Sequence, residues 1–339
     1  ITVDTVAANN PEGRPDVGFY ISQKNLILDG NGKTIQSSSV PRILNVIGDY
    51  NADGTVDCGM ITVTIRNITI ISEGTSYRPI ETRGGNVTLN LENVVLDNTA
   101  ATVINKWIIA VAGNSTCGSE ALPVNINISD STITAMKTGY AFKAFNPVTL
   151  TIDNSTLTGY GVLWFEEATD SFGSKGSAVE ITGNSVLTSN NSFDASSDFA
   201  VFVFDDDDIS VTVKDSVVNV NATGTAMYRA DNVRFSVEGD SAVILNGANA
   251  VHVMTDSRYI ENMDTLGYEL CEGVKTNVLT SNLAENSVIY YDEAQKVYVV
   301  VGVENAAGAG VVAINGVVGY TSLQSAIGMA EAGDTVTLL

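Results

Sequence analysis

The sequence predicts an all-β solenoid, in which short strands stack as parallel sheets around one continuous core. Three observations lead to this prediction: a strand phrase that repeats, a polar break at a fixed place in each phrase, and a second set of apolar strands between the phrases. A single unit of this kind cannot bury its own apolar face. Stacking units about 4.8 Å apart pairs every strand with neighbours above and below.

The repeated phrase is a short alternating apolar strand, an Asn or Asp beside a small residue, and another short strand. It occurs in residues 26–35, 63–70, 87–96, 124–133, 148–157, 179–187, 211–218 and 233–244. The polar residues that mark its register are Asn31, Asn67, Asn93, Asp130, Asn154, Asn184, Asp215 and Asp240. Neighbouring marks are 24 to 37 residues apart, which is solenoid spacing.

Local chemistry explains the phrase. Alternation with a period of two gives each strand one buried and one wet face, and Val, Ile and Thr suit a pleated surface. The polar breaks are of the Asn-Ser, Asp-Ser, Gly-Asn and Gly-Asp types. These residues accept left-handed backbone conformations and form Asx turns. Each unit is therefore expected to turn a corner at the same place.

The second set of strands is apolar and lies between the phrases. Its members are residues 107–111, 140–145, 162–165, 199–204, 226–230 and 250–254. Together with the two strands of each phrase, they predict three strands per coil. An antiparallel sandwich is the alternative, although its two-residue Asn-Gly and Asp-Gly hairpin loops are scarce in this sequence.

The amino-acid composition limits the possible fold classes and binding partners. Hydrophobic residues make up 44% of the chain, and there are 6 prolines, so a large β-rich core is expected. The net charge of -22, from 17 basic and 39 acidic residues, argues against nucleic acid or an anionic membrane as partner. There is no signal peptide and no run of about 20 apolar residues, so membrane insertion is not expected. Cys58, Cys117 and Cys271 lack metal-type spacing and are interpreted as small buried residues.

The end of the chain predicts a short helix. Thr321 or Ser322 can cap it, Leu323, Ile327 and Ala330 share one face, and Gly333 ends it. Residues 320–327 read Tyr-Thr-Ser-Leu-Gln-Ser-Ala-Ile, and residues 333–339 read Gly-Asp-Thr-Val-Thr-Leu-Leu.

This segment resembles the opening cap of right-handed parallel β-helix (pectin-lyase-like) repeat domains in large bacterial cell-surface and adhesin-like proteins. Residues 24–35 resemble the strand phrase that follows such a cap. The resemblance implies a right-handed parallel β-helix of about nine to ten coils over residues 1–292, transitional strands over 293–311, and a cap-like β-α-β unit over 312–339. It also implies an extracellular scaffold or adhesin segment at a bacterial surface, with a glycan or a protein as partner.

The position of the cap motivates a hypothesis about assembly. Residues 312–339 are expected to pack on the first coil of a following copy, in the same polypeptide or in another molecule, giving a head-to-tail array. The alternative is that this segment folds back on the last coil of its own chain.

One loop is a candidate calcium site. Oxygen-bearing side chains occur at positions 1, 3, 5 and 9 around a glycine at position 6, as in the first part of an EF-hand loop. The predicted ligands are Asp49, Asn51, Asp53, the Thr55 carbonyl and Asp57. Position 12 is Met60 rather than Glu, and a strand follows instead of a helix. A solvated turn is the alternative to bound Ca²⁺.

An enzyme is the second functional alternative, because parallel β-helices also host polysaccharide lyases and glycoside hydrolases. Such activity needs clustered carboxylates, or calcium ligands with a nearby base, and no such set is evident in the sequence. The best patch consists of Arg229, Asp231 and the acidic run at 205–208, represented by Asp206. Structural ion pairs and a solvated turn explain the patch without catalysis. The lone His252 is interpreted as a half-buried strand residue.

Three tyrosines form a further candidate binding set. Tyr140, Tyr160 and Tyr228 lie at comparable positions of the predicted coils and are candidates for stacking on sugar rings. Packing in the core is the alternative for each of them.

Overall fold

The computed structural model describes most of the chain. The described residues are 1–3, 5, 7, 16–48, 59–103, 106–112, 116–117, 120–136, 138–166, 173–190, 202–230, 233–247, 249–254, 287–292, 294–295, 297–308, 312–314, 318–320 and 323–338. All structural statements below refer to these residues.

Strands dominate the described residues. The first half contains β1 (Val17–Ser22), β2 (Leu26–Ser37), β3 (Arg42–Ile47), β4 (Ile61–Ser72), β5 (Arg78–Arg83), β6 (Val87–Asp97), β7 (Trp107–Ala112), β8 (Thr116–Cys117), β9 (Glu120–Ala121), β10 (Val124–Ser129), β11 (Thr132–Thr134), β12 (Tyr140–Ala144), β13 (Thr149–Asp153), β14 (Thr156–Gly159) and β15 (Gly161–Phe165). The second half contains β16 (Ala178–Thr182), β17 (Val186–Asn190), β18 (Phe202–Phe204), β19 (Ser210–Lys214), β20 (Val217–Asn221), β21 (Thr225–Ala230), β22 (Arg234–Glu238), β23 (Ala242–Asn246), β24 (Asn249–Met254), β25 (Ser287–Asp292), β26 (Val297–Gly302), α1 (Val303–Gly308), β27 (Val312–Ile314), β28 (Val318–Tyr320), α2 (Leu323–Met329) and β29 (Val336–Leu338).

The six apolar strands predicted between the phrases join β1, β3 and β5 in one parallel sheet of nine strands, here called the apolar sheet. Its order is β1-β3-β5-β7-β12-β15-β18-β21-β24, and every neighbouring pair is parallel. The strand phrases form two further parallel ladders, β2-β4-β6-β10-β13-β16-β19-β22 and β2-β4-β6-β11-β14-β17-β20-β23. The prediction of an all-β chain with parallel sheets is confirmed, and the antiparallel sandwich is wrong for these ladders. The pairing is compatible with a solenoid.

The polar marks of the sequence coincide with the turns. Asn31, Asn67, Asn93, Asp130, Asn154, Asn184 and Asp215 all have positive φ, between 44° and 65°. In β2, β4 and β6 the marked residue lies within one continuous long strand, whereas from β10 onward it separates two short strands. Asp240 is the exception among the eight marks, because Gly239, with φ 58°, takes the left-handed conformation there. Glycine lacks a Cβ, so it adopts the left-handed conformation at a lower free-energy cost than any other residue.

Aliphatic side chains stack in register inside the ladders. One column of Cα partners consists of Ile65, Leu91, Ile128, Ile152, Ile181, Val213 and Val237. Each of these side chains is at most 1% exposed. Because parallel pairing places these side chains in register, one hydrophobic cluster extends across the ladders.

A ladder of buried serines runs beside this core, directly after the turn residues. The Ser131 N–H donates to Ser155 Oγ at 3.0 Å, and the Ser155 N–H donates to Ser185 Oγ at 3.1 Å. The next two steps continue from Ser185 to Ser216 at 3.0 Å and from Ser216 to Ser241 at 3.1 Å. These bonds satisfy backbone donors that the turn removes from the strand pairing.

Strand pairing changes toward the end of the chain. β26 pairs antiparallel with both β23 and β25, and β27 pairs antiparallel with β28 and β29. Helix α2 occupies the predicted position, and Gly333 after it has φ 102°. Neither helix in the described part of the chain has the length and the hydropathy that crossing a lipid bilayer requires.

Candidate functional site

An open groove runs along the positive-φ residues of β2, β4 and β6. It has a volume of about 510 Å³ and is lined by Asp29, Asn31, Gly32, Asn67, Ile68, Thr69, Asn93 and Val95. Ligand clefts in proteins commonly have volumes of about 300–1,000 Å³. The groove combines carboxylate and amide groups with an apolar side chain, because Val95 is 40% exposed.

Hydrogen bonds fix the polar groups of this groove. The Asn93 Nδ2 donates to Asn67 Oδ1 at 3.0 Å, and the Asn67 Nδ2 donates to Asp29 Oδ1 at 3.2 Å. Asp29 also accepts from the Asn31 N–H at 2.9 Å and from Arg66 Nε at 2.8 Å. The Asn31 N–H, followed by the Asn67 and Arg66 side chains, lowers the pKa of the Asp29 carboxyl below its ordinary value. The neighbouring strands β2, β4 and β6 thus present one hydrogen-bonded row of acceptors and donors.

The outer face of the adjoining ladder continues this polar character. Its partly or fully exposed positions pair in register as Thr62, Thr88, Asn125 and Thr149, and as Thr64, Asn90, Asn127 and Thr151. Side chains connect coils here too, because Asn127 Nδ2 donates to Asn90 Oδ1 at 2.8 Å and Asn90 Nδ2 donates to Thr64 Oγ1 at 3.1 Å. The face therefore carries hydroxyl and amide groups at the regular spacing of parallel strands.

Buried charges form a second cluster, on the apolar sheet. Glu81 is fully buried and accepts from Arg42 Nε at 2.9 Å. Arg78 also contacts Glu81, Arg83 Nε lies 3.6 Å from it, and Arg42 contacts Asp16. Burial of an isolated carboxylate is costly, and these guanidinium groups compensate the charge of Glu81.

Lys143 and Glu166 make a second buried ion pair in the same sheet. Lys143 Nζ lies 2.8 Å from Glu166 Oε2, and the two side chains are 4% and 6% exposed. Three rings surround the ammonium: Nζ lies 3.3 Å from the ring centroid of Trp164, 4.4 Å from that of Trp107 and 4.5 Å from that of Phe145. The pair is therefore enclosed by aromatic surface.

This enclosure changes the acidity of the lysine. Burial lowers the pKa of Lys143 from 10.5 to about 8, an effect that Glu166 and Asp205 oppose and Arg78 reinforces. A neutral amine at near-physiological pH is a nucleophile and a base, whereas an ammonium is neither. The geometry gives Lys143 chemical capability that an exposed lysine lacks.

The acidic run at 205–208 divides into two parts. Asp205 and Asp206 are buried, at 0% and 5% exposed, and burial raises the pKa of Asp206 above its ordinary value. Asp207 and Asp208 each lie 3.6 Å from Lys175 Nζ, and their charges raise the pKa of that lysine. The prediction of a solvated turn thus describes the second half of the run only.

Two of the catalytic candidates, Arg229 and Asp206, belong to the described residues. Arg229 is 1% exposed, and its Nη1 donates to the Ala230 carbonyl at 3.0 Å. Asp206 follows β18, one strand before the strand of Arg229. Asp231 lies outside the described residues, as does the side chain of His252. The structural interpretation of Arg229 is therefore the one that fits its surroundings.

The other predicted site residues are the calcium ligands and the three tyrosines. Asp49, Asn51, Asp53, Thr55 and Asp57, the predicted calcium ligands, all lie outside the described residues. Within the described ranges, no three His, Cys, Asp or Glu side chains converge as a metal site.

The three candidate tyrosines are core residues. Tyr140, Tyr160 and Tyr228 are 4%, 3% and 0% exposed. The rings of Tyr140 and Tyr160 pack edge to face, with their centroids 6.2 Å apart. Their burial corresponds to the core-packing alternative, because a ring enclosed in this way presents no face to a sugar in solution.

Sequence reasoning did not find the Lys143 pair or the groove. A signal for the first was present: Lys143 is the one charged residue in the apolar run 140–145, and a charge inside a buried strand requires a partner. The groove has no local signal, because its residues come from three phrases.

A scan against protein-family models, a search of curated proteins and a search of solved structures each returned no match.

Proposed function

We propose that this chain is a right-handed parallel β-helix that serves as an extracellular scaffold of a bacterial surface protein, in which the groove and the polar face bind a neutral glycan. The observation that carries the proposal is the groove itself. Its row of Asp29, Asn67 and Asn93 is held in place across three coils by side-chain hydrogen bonds. Such a row needs no rearrangement to meet the hydroxyl groups of successive sugars.

The chemistry of the surface supports a glycan in particular. Sugar rings offer hydroxyl groups that both donate and accept, together with an apolar face. Amide, carboxylate and hydroxyl groups meet the first requirement, and the exposed Val95 beside them meets the second. The net charge of -22 disfavours polyanionic chains, so the proposed ligand is neutral.

Glycan binding and turnover are tested in one screen of the purified chain. Neutral and acidic polysaccharides are offered with and without Ca²⁺, because the predicted ligands from Asp49 to Asp57 would respond to the metal. Bound glycan, new reducing ends and unsaturated products are measured together. Binding of a neutral glycan without turnover is the expected result. Product formation would transfer the assignment to the polysaccharide enzyme, and absence of binding would leave a spacer without a glycan site.

A matched pair of variants locates the binding. Asn93 and Asn154 both have positive φ, 52° and 44°, and both donate from Nδ2 to the residue at the same turn of the preceding coil. Only Asn93 lines the groove. Asn93→Gly is expected to weaken glycan binding about tenfold, through loss of one or two hydrogen bonds to the ligand. Asn154→Gly is expected to leave binding unchanged, and equal loss in both variants would place the ligand elsewhere.

A second observation supports head-to-tail assembly, which we propose as a property of the same scaffold. Leu323 and Ile327 lie on one side of α2 and are 48% and 52% exposed, and Leu338 is 71% exposed. At the other end of the stack, Leu26 and Ile27 of β2 are 40% and 59% exposed. Two apolar surfaces at opposite ends generate a heterologous contact.

Sedimentation tests this assembly. The chain is expected to show concentration-dependent association, and Ile327→Asp is expected to abolish it by placing a charge in the contact. Lys175→Asp, a charge change on an exposed residue of the stack, serves as control. A strict monomer at high concentration would contradict the proposal for separate molecules.

A further inference from the structure

The strand register places three ionisable residues, Lys143, Glu166 and Asp205, at the carboxyl ends of three neighbouring strands of the apolar sheet. Lys143 lies in β12, and its Cα partner in β15 is Trp164, so Glu166 is two residues further along the neighbouring strand. The Glu166 N–H donates to the Ala144 carbonyl at 3.0 Å, and the Asp205 N–H donates to the Phe165 carbonyl at 2.8 Å. Glu166 and Asp205 therefore follow β15 and β18 at equivalent places, on consecutive strands.

Buried ion pairs of this kind are expensive. Each charge loses its hydration on folding, and the attraction between the two often fails to repay that loss. Lys143 and Glu166 are 3% and 4% exposed as whole residues, and three aromatic rings exclude water from the ammonium. A reaction that converted both charged groups into one neutral group would remove this cost.

We propose that Lys143 and Glu166 condense to an intramolecular amide that covalently joins two consecutive strands of the apolar sheet. Nζ attacks Cδ of Glu166, the new Nζ–Cδ bond forms, and one Cδ–O bond breaks. The departing oxygen leaves as water, carrying two protons that come from the amine and the carboxylic acid. No oxidant, reductant or other co-reactant is required.

The surroundings favour each part of this step. Nζ and the carboxyl group are already in contact at 2.8 Å. Fixed proximity of two reacting groups lowers the activation free energy, because the entropy of bringing them together has already been lost. The lowered pKa of Lys143, about 8, makes the neutral amine accessible. The surrounding aromatic rings exclude bulk water from the site, which disfavours the reverse hydrolysis.

Asp205 is suited to move the protons. It is fully buried, it influences the pKa of Lys143 electrostatically, and it follows the strand next to that of Glu166. A second carboxyl group in this place can accept a proton from the attacking amine and return it to the departing oxygen. Asp205 is thus assigned as the proton carrier of the reaction.

Intact-mass measurement of the folded, purified chain tests the proposal. The expected mass is lower than the sequence mass by one water, and fragmentation is expected to identify a branched peptide that joins Lys143 to Glu166. The full sequence mass after incubation of the folded protein at pH 8 would overturn the inference. A branched peptide that joins Lys143 to a different residue would overturn the assignment of Glu166.

Variants distinguish a mass deficit caused by the Lys143–Glu166 amide from a loss of water elsewhere in the chain. Lys143→Arg retains a buried cation that is not nucleophilic, and it is expected to restore the full mass. Lys175→Arg, at an exposed lysine that also contacts carboxylates, is expected to keep the mass deficit. If Lys143→Arg does not fold, Glu166→Ala is used in its place, and the branched peptide of the unaltered protein remains decisive.

The role of Asp205 has its own readout. Asp205→Asn is expected to slow formation of the amide at least tenfold, a scale typical of lost general acid–base catalysis, and to alter the dependence of its rate on pH. Formation at an unchanged rate with the same pH profile would show that Asp205 only fills space.

Discussion

Removal of one hydroxyl from the serine ladder tests how neighbouring coils are held together. Ser185 is fully buried. Its Oγ accepts from the Ser155 N–H at 3.1 Å and donates to the Thr182 carbonyl at 2.6 Å. Ser185→Ala removes these two bonds and a longer one from Oγ to the Ile152 carbonyl at 3.2 Å. It leaves the Ser155 N–H without this acceptor in a residue that is 3% exposed.

The expected cost follows from the desolvation of that donor. A buried polar group that loses its partner costs about 1–3 kcal/mol. A free-energy change of this size corresponds to about 5- to 160-fold in the equilibrium for local opening. Because the opening is local, the effect should be greatest in the coils that contain Ser155 and Ser185.

Amide hydrogen exchange of the native protein measures this quantity directly. The Ser155 N–H is expected to exchange faster by that factor in Ser185→Ala. Ser210→Ala is the matched control, because Ser210 also lies in the ladders of the strand phrases but is exposed, and its effect should remain below about 0.5 kcal/mol. Equal exchange in the two variants would refute the structural role assigned to the serine ladder.

Three further predictions concern backbone geometry and charge. Asn184, with φ 65°, should accept Gly with little loss, whereas Val should cost about 1–2 kcal/mol more in thermal or chemical unfolding, because a Cβ disfavours this conformation; equal stability would contradict the left-handed assignment. Gly48→Ala should destabilise by about 1–3 kcal/mol, because its Cβ would meet a backbone carbonyl oxygen, while Gly328→Ala in α2, where no atom lies within 4 Å, should be neutral or slightly stabilising. Glu166→Ala keeps the amine of Lys143 free and removes a carboxylate that raises its pKa, so burial holds the folded pKa of Lys143 below the unfolded value of 10.5. The unfolded chain then binds more protons than the folded one, and the unfolding free energy of the variant should rise with pH up to about pH 10.5, whereas the amide-linked protein should show no such rise.

The turns could be predicted from the sequence because they depend on local chemistry. Seven of the eight marked Asn and Asp residues adopt positive φ, since short polar side chains tolerate that conformation. Asp240 does not, because the neighbouring Gly239 has a still lower cost there. The parallel pairing was predictable for a related reason: a phrase that repeats at solenoid spacing, with few two-residue hairpin loops, favours stacked parallel strands over antiparallel hairpins.

The candidate sites were less predictable because they depend on contacts between coils. Asp29 and Asn93 belong to different phrases, and only the register shows that they share a groove. Lys143 was visible as a charge in an apolar strand, but nothing in its own strand identifies Glu166 as its partner. Tyr228 looked like an accessible aromatic residue and is fully buried, because the apolar sheet is buried on both of its faces over most of its length.

Disulfide trapping across two ladders tests the stacked-coil account most directly. Thr151 and Glu180 are Cα partners in β13 and β16, and Thr158 and Thr188 are partners in β14 and β17. Cysteine pairs at these positions, in a chain whose three native cysteines are replaced by serine, lie about 4.8 Å apart in parallel strands, within reach of a disulfide.

Both in-register pairs are expected to oxidise rapidly: Thr151→Cys with Glu180→Cys, and Thr158→Cys with Thr188→Cys. The shifted pair Thr151→Cys with Thr182→Cys should remain reduced, because its Cα atoms are about 8 Å apart, beyond disulfide reach. Preferential closure of the shifted pair, or failure of either in-register pair to close in the folded protein, would contradict the stacked coils.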